Sequence, residues 1–351
     1  MQKLVKYGTL SITLKLGGII MKPVIFSGMQ ATGVPSIGNY FGAIKNWNSL
    51  QNDYQCLFCV VNSHSITVRQ DPKIFKEKTR DLLMLYIAIG LDPVENIIYY
   101  QSQVPEHTEL AWILNCFTYM GELGRMTQFK DKSQKNEDNI NAGLFTYPVL
   151  QAADILLFNT KVVPVGDDQK QHLELCRDIA QRFNRIYGDI FTIPEVYTPP
   201  IGAKIMSLQE PAKKMSKSES VNLNNVVYLL DSPDVMMKKF KKATTDSLNQ
   251  IQFNPQEQPG VSNLLTIYAC ATGQTIENAV KDFSTARGYG DLKTQVGEAV
   301  VAHFEPFQKR FAELKADTEY IDNIIKTNAE RASAMAQPIL HEVKKVIGFP
   351  E

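Results

Sequence analysis

The stretch VIFSGMQATGVPSIGNYFGAIKNW, Val24 to Trp47, decides how the chain begins to fold. Val24–Gly28 is a short apolar run that reads as a strand, and a glycine-rich turn follows it. Ile37, Tyr40, Phe41, Ile44 and Trp47 then recur at helical spacing. Strand, turn and helix in that order place backbone N–H groups and a positive helix end at the carboxyl edge of a sheet, where open α/β folds bind anions. Gly33 and Gly38 have the spacing of a Walker-type phosphate loop, yet Asn39 and Tyr40 stand where that loop needs Lys and then Ser or Thr. Gly38 would let a ligand approach the backbone, and Ser36 and Asn39 offer uncharged donors one turn apart. Taken alone, the same residues are also a plain βα turn capped by Ser36.

Outward from this segment, Met21 to about residue 200 alternates short apolar runs with helical patterns, the rhythm of a parallel sheet. YQCLFCVV, ENIIYYQS and KVVPVG are further strand candidates. Pro72 to Gly90 reads as a helix with Ile74, Leu82, Leu83, Tyr86 and Ile87 as its apolar stripe. Gln169 to Tyr187 reads as another, opened by Asp167 and Asp168. EVYTPPIGAKIMSLQEPAKKMSKSESVNLNN is rich in Pro, Gly, Ser, Asn and Lys and reads as one long exposed loop. Beyond it only helices are expected, ending in a long pair over Leu292 to Gly348. The fold class is therefore α/β, a Rossmann-like doubly wound parallel sheet with a C-terminal all-helical domain.

Bulk properties narrow the function. A length of 351 residues suggests two domains. Lys plus Arg equals Asp plus Glu at 37 each, so a polyanionic partner must be held by local patches, since the overall field is near neutral. There is no apolar run long enough to span a membrane. Residues 1–20 resemble no signal peptide, because Lys15 interrupts the apolar run; a dispensable leader before Met21 is expected. Five cysteines, an odd number, fit a reducing, cytoplasmic compartment. Cys56 and Cys59, three apart in a strand, point to opposite faces and cannot share a metal, and no metal site is expected.

Three more constellations carry chemistry. KKMSKS, Lys213 to Ser218, can bring Lys214 and Lys217 to one polyphosphate, or can be a solvated basic loop. Asp154 lies in the apolar YPVLQAADILLF, where a carboxylate needs a partner; it either pairs with a core Arg or caps something, or faces a pocket and accepts a ligand's proton. VPVGDDQKQH ends an apolar strand at Asp168 and Gln169, again at the ligand edge. The run Lys238, Lys239, Lys241 and Lys242 reads as a solvated helix face.

Together with HSITV, GELGRMTQFKDKS and GVSNLL, these motifs in this order resemble the class I aminoacyl-tRNA synthetases, with the bacterial tryptophan enzymes the nearest pattern, from Met21 to the C-terminus. The resemblance implies that Ser36, Ile37, Gly38 and Asn39 stand for the HIGH signature and Lys214–Ser218 for the KMSKS loop. It implies a ligase that joins L-tryptophan to ATP, releasing pyrophosphate, and then to the terminal adenosine of tRNA(Trp). Mg²⁺ would bridge the phosphates of ATP. By matching position, Gln30, Ala31, Thr32, Ser36, Gly38 and Asn39 would line the ATP site. So would Lys132, Gly166, Asp167, Asp168 and Ile205, and Lys214, Met215, Ser216, Lys217 and Ser218. Gln30, Asn39, Lys214, Ser216 and Lys217 would act in catalysis. Phe26, His64, Tyr147, Gln151, Asp154, Val163, Val165 and Gln169 would hold tryptophan, with Asp154 reading the indole N–H.

The family also implies a catalytic domain over 21–224, an anticodon-binding helical domain over 225–318 and a last helix over 319–351 that packs back on the catalytic body. It implies a homodimer, with neither membrane nor DNA as partner. Two departures stand out: Ser36 where Thr is usual, and Gln151 where Met is expected against the indole. The sister tyrosine enzyme carries a PLLQAYD pattern, so tyrosine remains an alternative substrate. A synthetase-like binding module and a P-loop kinase or GTPase are the readings from other classes. Intact Gly38, Asn39, Lys214, Lys217 and Asp154 oppose the first, and Asn39 and Tyr40 after Gly38, in place of Lys and Ser or Thr, oppose the second.

Overall fold

The computed structural model describes residues 15–16, 19–20, 22–135, 140–166, 169–197, 203–215 and 224–350; side chains at 15–16, 19–20, 131–132 and 135 are outside that set. The expected leader falls almost wholly outside it, apart from the antiparallel pairing of Lys15–Leu16 with Ile19–Ile20. The main sheet has strands β1 (Val24–Met29), β2 (Gln55–Val60), β3 (Ile97–Tyr100), β4 (Val162–Pro164) and β5 (Glu195–Tyr197). Their spatial order is β3-β2-β1-β4-β5 and every pairing is parallel. The order reverses between β1 and β4, which opens a crevice at their carboxyl ends.

Strands buried on both faces need continuous apolar runs, and β2 shows why. Cys56 belongs to the hydrophobic cluster on one side of the sheet and Cys59 to the cluster on the other. β5 corrects the sequence reading, which placed EVY in the exposed loop. Three residues next to Thr-Pro-Pro give no period of their own, and pairing with β4 makes the strand (Val162 opposite Glu195). The rest of that loop is not all exposed either: Ile205, Leu208 and Met215 are core residues.

Helix α1 (Ile37–Gly42) follows β1, and α2 (Pro72–Ala88) follows β2. Asp71 caps α2 by accepting from the Lys73 and Ile74 N–H groups, with Pro72 at the first helical position. Leu82, Leu83, Tyr86 and Ile87 are buried as expected, but Ile74, in the first turn, is 51% exposed. Next come α3 (Glu106–Asn115), α4 (Ala142–Leu156) and α5 (Lys170–Tyr187).

The helical part comprises α6 (Pro233–Lys241), α7 (Pro259–Thr272), α8 (Tyr289–Ala316) and α9 (Thr318–Val346), with shorter turns between. Tyr40 and Phe41 of α1 meet His303 and Phe304 of α8, with Tyr40–Phe304 centroids 5.0 Å apart. Burial pushes the Tyr40 hydroxyl up to about 12, so it stays neutral in this aromatic contact. Along α9, Ala332 and Ala336 are small enough for close packing, while Arg331 donates to the Pro93 and Asn96 carbonyls at 3.0 Å each.

The lysine run on α6 is not wholly a solvated face. Lys239 is buried and pairs with Asp231 at 2.6 Å, and the same carboxylate oxygen accepts from the Tyr228 N–H at 2.8 Å. Asp231→Ala strands the ammonium and frees the chain at Tyr228. It is expected to lower unfolding free energy by about 3–5 kcal/mol, read as a shift in the urea midpoint; a loss below about 1 kcal/mol, the level of a surface pair, would mean that the ammonium is solvated instead.

Candidate active site

The first turn closes on itself before it offers anything to a ligand. Ser36 is the N-cap of α1: its Oγ accepts from the Asn39 N–H at 3.2 Å, and Asn39 Oδ1 accepts from the Ser36 N–H at 3.0 Å. Ser36 is buried and its hydroxyl also donates to Asn39 Oδ1, so it is not one of the residues lining the cavity, contrary to expectation. With Oδ1 taken by two donors, the Nδ2 amide is what Asn39 presents outward. Gly38 has a different reason from the expected one. A Cβ there would lie 3.2 Å from both the Cβ and the carbonyl oxygen of Met215, so the glycine admits the second loop rather than the ligand directly.

That loop is anchored on both sides. Ile37 donates its N–H to Val227 O at 2.9 Å, and Leu229 donates to Pro35 O at 3.0 Å. On the entering side Met206 bridges Lys214, and Met215 N–H donates to Ile205 O at 3.0 Å. The GVSNLL motif explains itself here. Asn263 of α7 holds Met206 from both directions, accepting from its N–H at 2.8 Å and donating to its carbonyl at 2.9 Å. A Cβ at Gly260 would lie 2.2 Å from the Thr244 carbonyl oxygen, so only glycine lets α7 come this close. Ile205 is a core residue that supports Met215 through the backbone and does not line the cavity. Ser216, Lys217 and Ser218 lie outside the described residues.

A cavity of about 700 Å³ opens beside these segments. Gln30, Thr32, Asn39, Lys214 and Met215 line it from the turn and the loop. Phe26, His64, Tyr147, Asp154 and Val163 line it from the strands and helices, with Gln151, Val165 and Gln169 alongside. Ala31 and Gly38 are buried behind this lining, the Ala31 N–H donating to Ser65 Oγ at 3.2 Å, and Gly166 is exposed outside it. Lys132 lies on the helix Thr127–Lys135 with its side chain outside the described set, as are Asp167 and Asp168 entirely.

The sequence reading missed Met29 and Val61, the last residue of β1 and the one after β2, which were findable from the rule that ligands bind at carboxyl ends. Gln128 was missed too: it stands in the quoted TQFKDKS, where only the lysine looked like a phosphate ligand, and it accepts from the Tyr147 hydroxyl at 3.4 Å.

Asp154 is neither alone nor paired with an arginine. It is 1% exposed, yet it reaches the cavity wall. His64 Nε2 lies 2.9 Å from Oδ2, and Gln101 Nε2 donates to Oδ1 at 2.7 Å. His107 Nδ1 lies 2.7 Å from Oδ1 in a contact too bent to be an aligned hydrogen bond. Burial raises the carboxyl's pKa, but the charge and hydrogen-bond influence of His107 and then His64 outweighs it and holds the group well below the usual carboxylate range. At neutral pH the group is an ionised, acceptor-only site. Tyr147 bonds His172 Nε2 at 2.7 Å, and Gln151 donates to Gln169 Oε1 at 3.2 Å, so the residue found in place of Met joins a polar wall.

Residues 21–305 match the family described as tRNA synthetases class I (W and Y). The chain is 50% identical over 337 residues to the tryptophan–tRNA ligase of Clostridium tetani (strain Massachusetts / E88), covering 95% of this chain and 99% of that protein. It resembles the crystal structure of Mycoplasma pneumoniae tryptophanyl-tRNA synthetase with a TM-score of 0.83 at 37% identity, over 94% of this chain and 99% of the other. The Campylobacter jejuni tryptophanyl-tRNA synthetase, solved with ADP and tryptophan, gives 0.82 at 33% identity over 93% and 100%. With two carboxyl-edge segments meeting over one cavity and a family match along most of its length, the chain belongs to the class I tRNA synthetases that comprise the tryptophan and tyrosine enzymes.

Proposed function

We propose that this chain is a tryptophan–tRNA ligase: it activates L-tryptophan with ATP and passes the aminoacyl group to tRNA(Trp). The observation that carries the reading is that one cavity joins Asn39 and Lys214 to Asp154. In the first step the tryptophan carboxylate attacks the α-phosphorus, the bond to the bridging oxygen breaks, and pyrophosphate leaves from tryptophanyl-adenylate. Lys214, with Ser216 and Lys217 just beyond it, neutralises charge building on the departing phosphates. Asn39 and Gln30 bind and orient the nucleotide, with Thr32 and Met215 beside them. In the second step a hydroxyl of the terminal adenosine of tRNA displaces AMP.

Phe26, Val163 and Val165 supply apolar walls for an indole, and Asp154 accepts its N–H. A phenylalanine ring has no donor and would leave that buried carboxylate unmatched, a penalty of roughly 10⁴–10⁵ in discrimination. Tyrosine is the weaker reading, since the relative matched at 50% identity over 95% of this chain is a tryptophan enzyme. Mg²⁺ belongs to the nucleotide in this account.

The helical part over 225–318 meets the anticodon in this reading, with 319–351 returning to the catalytic body over 21–224. A homodimer is supported by Trp112, Tyr119 and Met120, three large apolar side chains 70%, 62% and 72% exposed within a short span. A cytoplasmic setting is supported by five unpaired cysteines; among the described residues no helix is long and apolar enough to cross a membrane.

Amino-acid-dependent exchange of pyrophosphate into ATP is expected with tryptophan and without tRNA. Exchange with none of the twenty amino acids would favour a nucleotide- or RNA-binding module instead. Asp154→Asn is expected to lower kcat/KM for tryptophan roughly tenfold to a hundredfold at an unchanged KM for ATP. Unaltered kinetics would remove Asp154 from recognition. Lys214→Ala should lower kcat roughly a hundredfold or more with a smaller effect on the KM for ATP, and a pure KM effect would contradict a role in leaving-group stabilisation.

A further inference from the structure

Behind Asp154 stands a second layer of polar side chains that do not line the cavity. Gln101 follows β3, Tyr99 lies within it and His107 is on α3; all three are almost completely buried. Gln101 ties the layer together: its Nε2 donates to Asp154 Oδ1, and its Oε1 accepts from the Ser63 N–H at 3.1 Å, next to His64. His107 lies between Asp154 and Tyr99, with Nδ1 2.7 Å from Oδ1 and Nε2 2.9 Å from the Tyr99 hydroxyl. The His107 ring is held from the side by Phe158, centroids 5.5 Å apart, and Phe158 in turn stacks on Phe26 of the cavity wall at 6.1 Å.

The proton positions follow from this arrangement. An ionised carboxylate only accepts, so every neighbour must present hydrogen to it. Nδ1 of His107 therefore carries a proton on the Asp154 side, and in the neutral ring Nε2 then accepts from the Tyr99 O–H. The Nδ1 contact is bent, but Nδ1 has no other polar partner, and at 2.7 Å in a dry interior the attraction to the carboxylate stays strong. A carboxylate offers about four lone-pair sites. Gln101 bonds one on Oδ1, the His107 Nδ1 covers the other at 2.7 Å without an aligned bond, and His64 takes one on Oδ2.

We propose that His107, held by Tyr99, is a positioning and specificity-determining residue. With Gln101 it covers Oδ1, Gln101 by a hydrogen bond and His107 by close charge contact, so that Asp154 offers the cavity a single open acceptor, the remaining lone pair of Oδ2. The ligand selected is then one that brings a single N–H donor on an apolar ring. A ring with no donor leaves that lone pair unmatched. Loss of the His107 contact frees a lone pair on Oδ1, lets the carboxylate rotate and blurs the choice. This inference rests on the reading that Asp154 meets the indole N–H.

The test compares tryptophan with 3-benzothienylalanine, which has the same shape but carries sulfur in place of the N–H. The quantity read is the ratio of kcat/KM for the two amino acids in pyrophosphate exchange. His107→Leu is expected to reduce the preference for tryptophan roughly tenfold or more, at an unchanged KM for ATP. His107→Asn, whose amide can place an N–H near the position of Nδ1, should recover most of it. Tyr99→Phe should shift the ratio in the same direction as His107→Leu by a smaller factor.

A purely structural role would weaken both substrates alike and leave the ratio where it was. A wild-type ratio in His107→Leu and Tyr99→Phe overturns the proposal while the reading of Asp154 stands. If the wild-type protein itself does not distinguish the two amino acids, that reading fails instead. Should His107→Leu fail to fold in a thermal scan, His107→Asn and Tyr99→Phe decide: an unchanged ratio in Tyr99→Phe contradicts the relay, and a reduced one supports it.

Discussion

Met215 packs so closely on Gly38 that a Cβ there would stand 3.2 Å from its Cβ and carbonyl oxygen, tighter than ordinary contact, and the rest of the site depends on that approach. Two segments far apart in sequence, one leaving β1 and one leaving the 205–215 hairpin, are brought side by side at the carboxyl edge of the sheet. A phosphate loop carries its lysine a few residues from its glycines. Here the ammonium comes from another part of the chain, and the glycine that would have faced phosphate faces the segment bearing Lys214. The helical domain takes part in this. Asn263 of α7 fixes Met206, and Asp231, just before α6, fixes Tyr228 beyond the loop, so both sides of the segment bearing Lys214 are held from outside the sheet.

The second constraint is a carboxylate in a dry wall. A buried charge is tolerated only when its lone pairs are matched, and Asp154 has an amide and two imidazoles around it. Matching keeps the acid ionised and in one orientation. The same contacts that make it tolerable in the core make it a directional acceptor at the cavity wall. Stability and recognition are thus served by one cluster, which ties β3, α3 and α4 to the floor of the site.

Much of this was legible in the sequence. The strand–turn–helix from Val24 to Trp47 and the burial of Leu82 to Ile87 follow from periodicity, and most of the cavity lining from the family resemblance that the motifs carry. What was missed was missed for physical reasons. β5 is three residues long, and its strand character comes from its neighbour rather than from its own composition. Ser36 looked like a ligand donor because sequence shows its hydroxyl and not the Asn39 amide that occupies it. Lys239 looked solvated because its partner Asp231 is two turns away along the chain, outside the lysine run. The partners of Asp154 come from three separate elements, so no spacing rule could have supplied them.

The central claim is that the nucleotide and the amino acid share the one cavity, with the triphosphate between the first turn and Lys214 and the ring against Asp154. A crystal structure with tryptophan and a non-hydrolysable ATP analogue measures this directly. The account predicts phosphate oxygens within hydrogen-bond reach of the Asn39 amide and the Lys214 ammonium, and the indole nitrogen within the same reach of Asp154 Oδ2. A triphosphate bound away from Asn39 and Lys214, or an indole nitrogen turned from Asp154, would contradict it.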